Sequence, residues 1–304
     1  LFPGKKPSKG GRTKTEQGTA SNHWTGIPYI RCITGRYICP AGTLCEKAAV
    51  RGLNDMTETF RIQMMQESAQ LGITLSDSQL EQFYSYYEML VEKNKVMNLT
   101  AITEECEVVT KHFSDSLSLF GLLREMQAGG DAWYKTCNVI DVGTGAGFPG
   151  IPLKIVFPEL RVTLLDSLNK RVIWLKEVCT DLGLEGVCFV HGRAEDIGRQ
   201  AEHREMYDLC VSRAVANLSS LSEYCMPFVK VGGYFIPYKS GEIDEELNQA
   251  KKAIGILGGK LKSVEKFVLP GTDAARSLVM IEKVKPVSKK YPRKAGLPTK
   301  EPLK

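Results

Sequence analysis

The amino-acid sequence predicts an α/β fold: a seven-stranded, mainly parallel sheet with helices on both faces, an antiparallel last strand and an N-terminal helical subdomain. From residue 138 onward, short apolar runs typical of strands alternate with helical patterns. A turn with glycines at alternate positions directly follows the first of these runs. The last two predicted strands are joined by the loop 270–273. This loop is too short for the crossover that parallel strands require, so the final strand must run antiparallel.

Local patterns place the individual elements. The second helix is predicted to begin at Ser76 or Asp77, since both are good N-cap residues. Its apolar residues recur at helical spacing, at Leu80, Phe83, Tyr87 and Leu90. Helices are predicted near 57–72, 77–95, 104–127, 150–157, 169–182, 217–229 and 242–257. Strands are predicted near 138–142, 161–166, 187–190, 207–212, 232–238, 262–268 and 277–283.

Charge and composition divide the chain into four parts. Residues 1–55 are rich in Gly, Lys and Thr and lack periodicity, so we expect a disordered or spurious extension without a function. A helical subdomain at 56–130 and an α/β domain at 131–284 follow. Residues 283–304 contain eight Lys or Arg residues and one acid, and 285–304 is predicted to be a basic tail. Such a tail often contacts nucleic acid, although a solvated tail that aids solubility is the alternative.

Cysteine and hydropathy indicate the compartment. The nine cysteines form no paired framework or metal-ligand spacing, and the chain has only four histidines, so no metal site is predicted. Scattered free cysteines are typical of a reducing cytoplasm. The sequence contains no apolar run of membrane-spanning length. Residues 1–20 are basic and polar without an apolar core, so we expect no signal peptide. We therefore expect a cytoplasmic monomer without a membrane partner.

The glycine-rich turn at 141–150, DVGTGAGFPG, is typical of a cofactor site, and two cofactors fit its spacing. Gly145, Gly147 and Gly150 match the dinucleotide pattern, but Gly143 then has no role and Pro149 falls where the helix should already run. The alternative frame begins at Gly143 and is typical of class I S-adenosylmethionine methyltransferases. The sulfonium and amino-acid tail of that cofactor favour an acidic neighbour such as Asp141. The antiparallel last strand also favours a methyltransferase.

Two later segments supply further candidate cofactor contacts. Asp166 ends the second predicted strand and can bind the ribose hydroxyls of either cofactor, although it could instead cap the next helix. Ala194 and Glu195 follow the third predicted strand and could border an adenine, or belong to an ordinary capping turn.

The end of the fourth predicted strand bears on the methyl acceptor. Ser212, Arg213 and Ala214 occupy the place where exocyclic-amine methyltransferases carry an Asn/Asp-Pro-Pro-aromatic loop. The sequence also lacks the Pro-Cys pair of C5-pyrimidine enzymes. An acceptor that is already nucleophilic, such as guanine N7, remains. Transfer to it needs in-line positioning more than a general base.

Several motifs, in the same order along the chain, resemble those of the RsmG family of small-subunit rRNA guanine-N7 methyltransferases, also called glucose-inhibited division protein B. The resemblance covers about 57–303. The matching motifs are NLTAIT at 98–103, HFSDSL at 112–117, DVGTGAGFPG at 141–150, LLDS at 164–167, GRAE at 192–195, SRAV at 212–215 and YPRK at 291–294. The resemblance implies methyl transfer from S-adenosylmethionine to a guanine of 16S rRNA in the small ribosomal subunit or its precursor. YKSG at 238–241 departs from the family pattern, in which Lys is often followed directly by Gly.

The resemblance also implies residue roles. Its cofactor pocket comprises Gly143, Phe148, Ala194, Glu195 and Arg213, with Asp166 on the ribose, and Asp141 and Gly145 complete the predicted set. Arg213 and Lys239 are expected to position the reacting groups. RNA contacts are predicted for Lys170, Arg171, Arg193, Lys289, Lys290, Tyr291, Arg293 and Lys294, with Tyr291 stacking on a base. Ion pairs with nearby acids are the alternative for the cations. His112 and Asp115 could order the cleft or form a hydrogen-bonded pair. An NAD-dependent oxidoreductase and a non-catalytic RNA-binding protein of the same fold remain alternatives.

Overall fold

The computed structural model describes residues 56–125 and 136–304. The predicted extension at 1–55 and the domain boundary at 130–131 lie outside these residues. Within the described residues, one sheet contains seven strands. They are β1 (Asn138–Val142), β2 (Arg161–Asp166), β3 (Val187–His191), β4 (Tyr207–Arg213), β5 (Val229–Ser240), β6 (Gly259–Val268) and β7 (Ala275–Lys283).

The strand order is β3-β2-β1-β4-β5-β7-β6, and β7 runs antiparallel to both of its neighbours. The pairs from β3 to β5 are parallel. The predicted fold class is therefore confirmed, including the antiparallel last strand. The order reverses between β1 and β4, and the crevice outside the carboxyl ends of strands at such a reversal is where α/β sheets bind ligands.

Helices cover both faces of the sheet. They are α1 (Glu58–Gln70), α2 (Asp77–Met97), α3 (Glu105–Val108), α4 (Asp115–Leu117), α5 (Leu119–Glu125), α6 (Gly150–Val156), α7 (Asn169–Asp181), α8 (Ala194–Ile197), α9 (Leu218–Cys225), α10 (Asp244–Ile256) and α11 (Leu297–Lys300). Alternate strand residues divide between two apolar clusters. Val139 belongs to the cluster that includes residues of α1, α2 and α7, whereas Ile140 belongs to the cluster that includes residues of α9 and α10.

The helical subdomain begins as predicted but differs in detail. Ser76 and Gln79 form a capping box that starts α2. Tyr86, rather than the predicted Tyr87, lies on the buried face of this helix, and Tyr87 is half-buried. The buried face of α2 consists of Leu80, Phe83, Tyr86 and Leu90. These residues are spaced three, three and four positions apart.

The single helix predicted at 104–127 is wrong, because a π-helical turn, Val109–Ser114, separates α3 from α4. One tertiary and one local hydrogen bond accompany this difference. The guanidinium of Arg213 donates to the distant Lys111 carbonyl at 3.3 Å, and the Ser116 hydroxyl donates to the His112 carbonyl, four positions away, at 2.5 Å. These bonds occupy carbonyl groups inside the segment that the sequence pattern treats as regular helix.

Residues 285–304, predicted as a basic tail, pack against the α/β domain. Val287 and Tyr291 belong to the apolar cluster that contains α9. The Ser220 hydroxyl of α9 donates to the Pro298 carbonyl of α11 at 2.7 Å. We call 285–304 the C-terminal segment.

Candidate active site

The glycine turn at 141–150 connects β1 to α6. Gly143, Gly145 and Gly147 have φ values of +72°, +60° and +100°, a region that residues with a Cβ rarely adopt. A Cβ on Gly143 would lie 2.7 Å from a methyl group of Val215. A Cβ on Gly145 would point into open space, since its nearest neighbour would be the Gly143 carbonyl oxygen at 4.0 Å. The backbone at Gly145 is therefore accessible to a ligand.

Asp141, predicted as a cofactor contact, is completely buried and binds the turn itself. Its Oδ2 accepts hydrogen bonds from the Thr144 hydroxyl at 2.8 Å and from the Gly150 amide at 2.9 Å. Its Oδ1 has no hydrogen-bond partner among the described residues. Burial raises the pKa of this carboxyl to about 6, although the two hydrogen bonds oppose the shift. Asp141 therefore fastens the glycine turn to the end of β1.

Asp166, at the end of β2, contacts both segments that the sequence associates with it. One carboxylate oxygen accepts from the Gly145 amide at 3.0 Å, and the other accepts from the Leu168 amide at 2.8 Å, just before α7. Arg171, a predicted RNA contact, lies 3.5 Å from the same carboxylate. Asp166 thus joins the glycine turn to the start of α7.

Glu195 lies in the first turn of α8, next to Ala194, and its side chain is buried. Its Oε1 accepts from Arg193 at 3.1 Å and from the Gly296 amide at 2.8 Å. Burial raises the pKa of this carboxyl, but these hydrogen bonds outweigh that effect and lower its pKa overall. The turn after β3 is therefore joined to the C-terminal segment.

Arg213, at the end of β4, lies against an aromatic cluster. Its guanidinium carbon is 5.0 Å from the centre of the Phe148 ring, and its Nη1 donates to Asp115 at 2.8 Å. The His112 ring stacks on Phe148 with 4.6 Å between ring centres. Burial and the neighbouring guanidinium lower the pKa of His112 to about 3, so this imidazole is neutral at physiological pH. The glycine turn and the helical subdomain therefore meet at one cation–aromatic cluster.

Lys239, the other predicted positioning residue, is engaged by the protein. Its ammonium donates to the Ala216 carbonyl at 2.7 Å and to Glu246 at 2.6 Å. The same Glu246 oxygen accepts from the Leu218 amide at the start of α9. Lys239 thus holds the loop after β4 against α10, beside the end of the strand that carries Arg213.

The predicted RNA contacts separate into exposed cations and residues that are bound within the protein. Arg171 and Arg193 pair with Asp166 and Glu195, although the Arg193 side chain remains 53% exposed. The exposed predicted contacts are Lys170, Arg193, Lys289, Lys290 and Lys294.

The two remaining predicted RNA contacts, Tyr291 and Arg293, lie inside the C-terminal segment. Tyr291 is only 7% exposed, so its ring presents no free face for a base in this structure. Arg293 forms a bidentate ion pair with the fully buried Glu223 of α9. Its Nε donates to Oε1 at 2.9 Å and its Nη2 donates to Oε2 at 2.8 Å. Both side chains thus hold the C-terminal segment in place.

Sequence inspection missed the residues that hold this segment. Arg204 donates to the carbonyls of Val287 and Tyr291 at 2.8 and 2.9 Å. Arg199 donates to the Pro292 carbonyl. One signal was available for Glu223: it is the single acid in Leu218–Cys225, a helix of otherwise uncharged residues. A lone carboxylate on such a helix is expected to have a cationic partner.

Two kinds of feature are absent from residues 56–125 and 136–304. No group of three or more His, Cys, Asp or Glu side chains there is arranged to hold a metal ion. Helices in this part of the chain also fall short of the length and apolar character needed to cross a membrane.

A family model described as rRNA small subunit methyltransferase G matches residues 79–279. The chain belongs to this family. The matched range includes the glycine turn, Asp166, Glu195 and Arg213, so the suspected resemblance is confirmed. The C-terminal segment lies beyond the matched residues.

Named relatives agree with the family match. The chain is 54% identical over 235 residues to ribosomal RNA small subunit methyltransferase G of Alkaliphilus metalliredigens, covering 77% of this chain and 95% of the relative. It is 50% identical over 252 residues to the same-named protein of Desulforamulus reducens, covering 83% of this chain and all of the relative. Among solved structures, TrmN from Thermus thermophilus is 16% identical with a TM-score of 0.41, covering 58% of this chain and 53% of that one. A likeness of that size carries no argument about function.

Proposed function

We propose that this chain transfers a methyl group from S-adenosylmethionine to N7 of a guanine in 16S rRNA, within the small ribosomal subunit or its precursor. One observation carries the proposal. In a member of a methyltransferase family, the open backbone at Gly145 lies at the strand reversal, within a turn bonded to Asp166 and close to Arg213.

The residues present fit this cofactor. The Gly145 backbone leaves room for a close approach, and Asp166 offers carboxylate oxygens beside it. We assign cofactor contacts to Gly143, Gly145, Phe148, Asp166, Ala194, Glu195 and Arg213. Asp141 stabilises the turn through its bonds to Thr144 and Gly150. When bound, S-adenosylmethionine supplies an electrophilic methyl group on a sulfonium.

The residues around Arg213 suit an acceptor that has no proton to lose. Guanine N7 has a free lone pair, so the site must orient the base and exclude competing nucleophiles. The neutral His112 adds no positive charge to the cluster around Arg213, where a cationic cofactor would meet less repulsion. Asp115 balances the charge of Arg213. Positioning therefore supplies the catalysis, and we assign this role to Arg213, with Lys239 holding the adjacent loop.

Exposed cations support contact with RNA. Arg193 pairs with the predicted cofactor residue Glu195, and Lys170 is exposed in the first turn of α7, which follows Asp166. Lys289, Lys290 and Lys294 extend along the C-terminal segment. Lysine and arginine bind phosphates without recognising the base sequence, so these residues would orient the protein on the rRNA of the subunit. Arg171, Tyr291 and Arg293 would support this surface from within. A ribosomal substrate also implies a cytoplasmic location.

The test is methylation of purified small subunits that lack N7-methylguanine, followed by chemical cleavage at the modified base. We expect one methylated guanine with the wild-type chain and none with Gly143→Asp, whose side chain would collide with Val215. If the wild type binds cofactor but leaves every guanine N7 unmodified, the proposed function fails.

The same material tests the two alternatives. A non-catalytic RNA-binding protein would bind subunits equally well with and without Gly143→Asp and would never transfer methyl groups. An oxidoreductase would be protected from thermal unfolding by NADH and not by S-adenosylhomocysteine. Since the matched family is one of methyltransferases, we expect protection by S-adenosylhomocysteine alone.

A further inference from the structure

Asp115 lies in the helical subdomain, outside the predicted cofactor contacts, yet it connects to the predicted site. The residue is 3% exposed, at the start of α4. Its Oδ2 accepts from Arg213 of β4 at 2.8 Å, and its Oδ1 accepts from Arg276 of β7 at 3.2 Å. One buried carboxylate is therefore shared by two guanidinium groups from different strands.

The remaining contacts of Arg213 come from the same part of the chain. Nη1 lies 3.3 Å from the Lys111 carbonyl, and Nη2 lies 3.3 Å from Nδ1 of His112. The Phe148 ring completes the surroundings of the guanidinium. The orientation of Arg213 is thus determined by the segment 111–115 and by one residue of the glycine turn.

The backbone of this segment has an attachment that does not involve Asp115. The Tyr238 hydroxyl of β5 donates to the Ser116 carbonyl at 2.7 Å, and Tyr238 is buried. Removing the charge of Asp115 therefore leaves the segment attached to the sheet, so the effect on Arg213 can be separated from loss of the subdomain.

We propose that Asp115 is a positioning residue for methyl transfer, which holds the Arg213 guanidinium in its cofactor-binding orientation. The inference rests on the proposed function for the role of Arg213. A carboxylate that binds a guanidinium at fixed geometry restricts a long, flexible side chain before the ligand arrives. Without it, the guanidinium groups of Arg213 and Arg276 would lose their shared counter-charge.

The test is calorimetric titration with S-adenosylhomocysteine, which needs no RNA. Asp115→Asn should weaken binding roughly 10-fold, because a charge-assisted hydrogen bond that organises Arg213 is lost. Arg276→Gln is the matched control, since it removes the other ion pair of the same carboxylate without touching Arg213. We expect its binding to stay within about twofold of wild type, with thermal unfolding measured for both variants.

A double-mutant cycle decides whether Asp115 acts through Arg213. The variant combining Asp115→Asn with Arg213→Gln should bind S-adenosylhomocysteine no more weakly than Arg213→Gln alone. Fully additive losses, or equal losses in Asp115→Asn and Arg276→Gln, would overturn the inference.

Two further outcomes keep the test decisive. If Asp115→Asn does not fold, Asp115→Glu retains the charge but displaces it. Weakened binding at unchanged melting temperature then supports the inference, and unchanged binding overturns it. If the variants show the expected affinities but the wild-type chain does not methylate subunits, the proposed function is overturned and the role of Asp115 in binding is not.

Discussion

The glycine turn and the C-terminal segment are held by hydrogen bonds of very different reach. In the turn, Asp141 binds residues 3 and 9 positions away. In the C-terminal segment, Arg293 binds Glu223 across 70 positions, and Arg204 reaches Val287 across 83. The bonds of Asp141 can be anticipated from adjacent residues, whereas the contacts that place the C-terminal segment join residues far apart along the chain.

The largest expected effect tests whether the C-terminal segment is structural. Arg293→Ala leaves the buried Glu223 carboxylate without its cation, keeping only the bond from the amide of residue 293, and should lower the free energy of unfolding by about 3 kcal/mol. Lys294→Ala removes an exposed neighbouring cation and should change it by less than about 0.5 kcal/mol. Urea unfolding of both variants measures the difference. Equal stabilities would mean that this segment is a loosely attached tail after all.

The next prediction concerns the turn. Gly145→Ala should weaken S-adenosylhomocysteine binding by at least about 10-fold, because the added methyl group points into the space open to a ligand. Gly271→Ala is the matched control, since Gly271 also has a positive φ and open surroundings but lies in the loop between β6 and β7. Both should lose about 1–2 kcal/mol of stability. Parallel losses of affinity in the two variants would contradict a ligand contact at Gly145.

A pH prediction follows from His112, beside the turn. Its folded-state pKa of about 3 lies below the ordinary value of 6.5, so below pH 6.5 the unfolded chain binds a proton that the folded chain does not. Stability from this group is therefore present above pH 6.5 and is lost as pH falls. Between pH 6.5 and 5.5 the loss is about 1 kcal/mol, because half of the unfolded chains are already protonated at pH 6.5.

Thermal or urea unfolding at both pH values, compared between wild type and His112→Gln, measures this contribution. The variant should lack that part of the pH dependence. His191→Gln, at an exposed histidine, should follow the wild type. An identical pH dependence in His112→Gln would show that this imidazole is not held neutral.

The smallest effect tests what the exposed part of the C-terminal segment does. Lys289→Ala should reduce the slope of log affinity for small subunits against log salt by about 0.7–0.9, the contribution of one phosphate contact. Lys252→Ala, an exposed lysine of α10, should leave the slope unchanged. Filter binding across a salt series measures both. An unaltered slope in Lys289→Ala would remove this lysine from the RNA surface.

Much of the fold could be predicted because its determinants are local. The capping box at Ser76, the alternating strands and the short 270–273 loop each specify an element from a few adjacent residues. The helix at 104–127 could not be predicted correctly. Its apolar spacing resembles regular helix, whereas the interrupted turn contacts Arg213, which lies 102 positions from Lys111.

By itself, the sequence determined the order of elements, the glycine turn and the family, because these depend on residues that are close along the chain or in a fixed order. Only the tertiary structure decided which cations reach solvent and which are paired, as Lys289 and Arg293 show. It also decided that Arg213 is held by Asp115 of the helical subdomain. The sequence gives the sign of each charge, but burial and partners in the folded protein determine whether that charge contacts solvent or forms an ion pair.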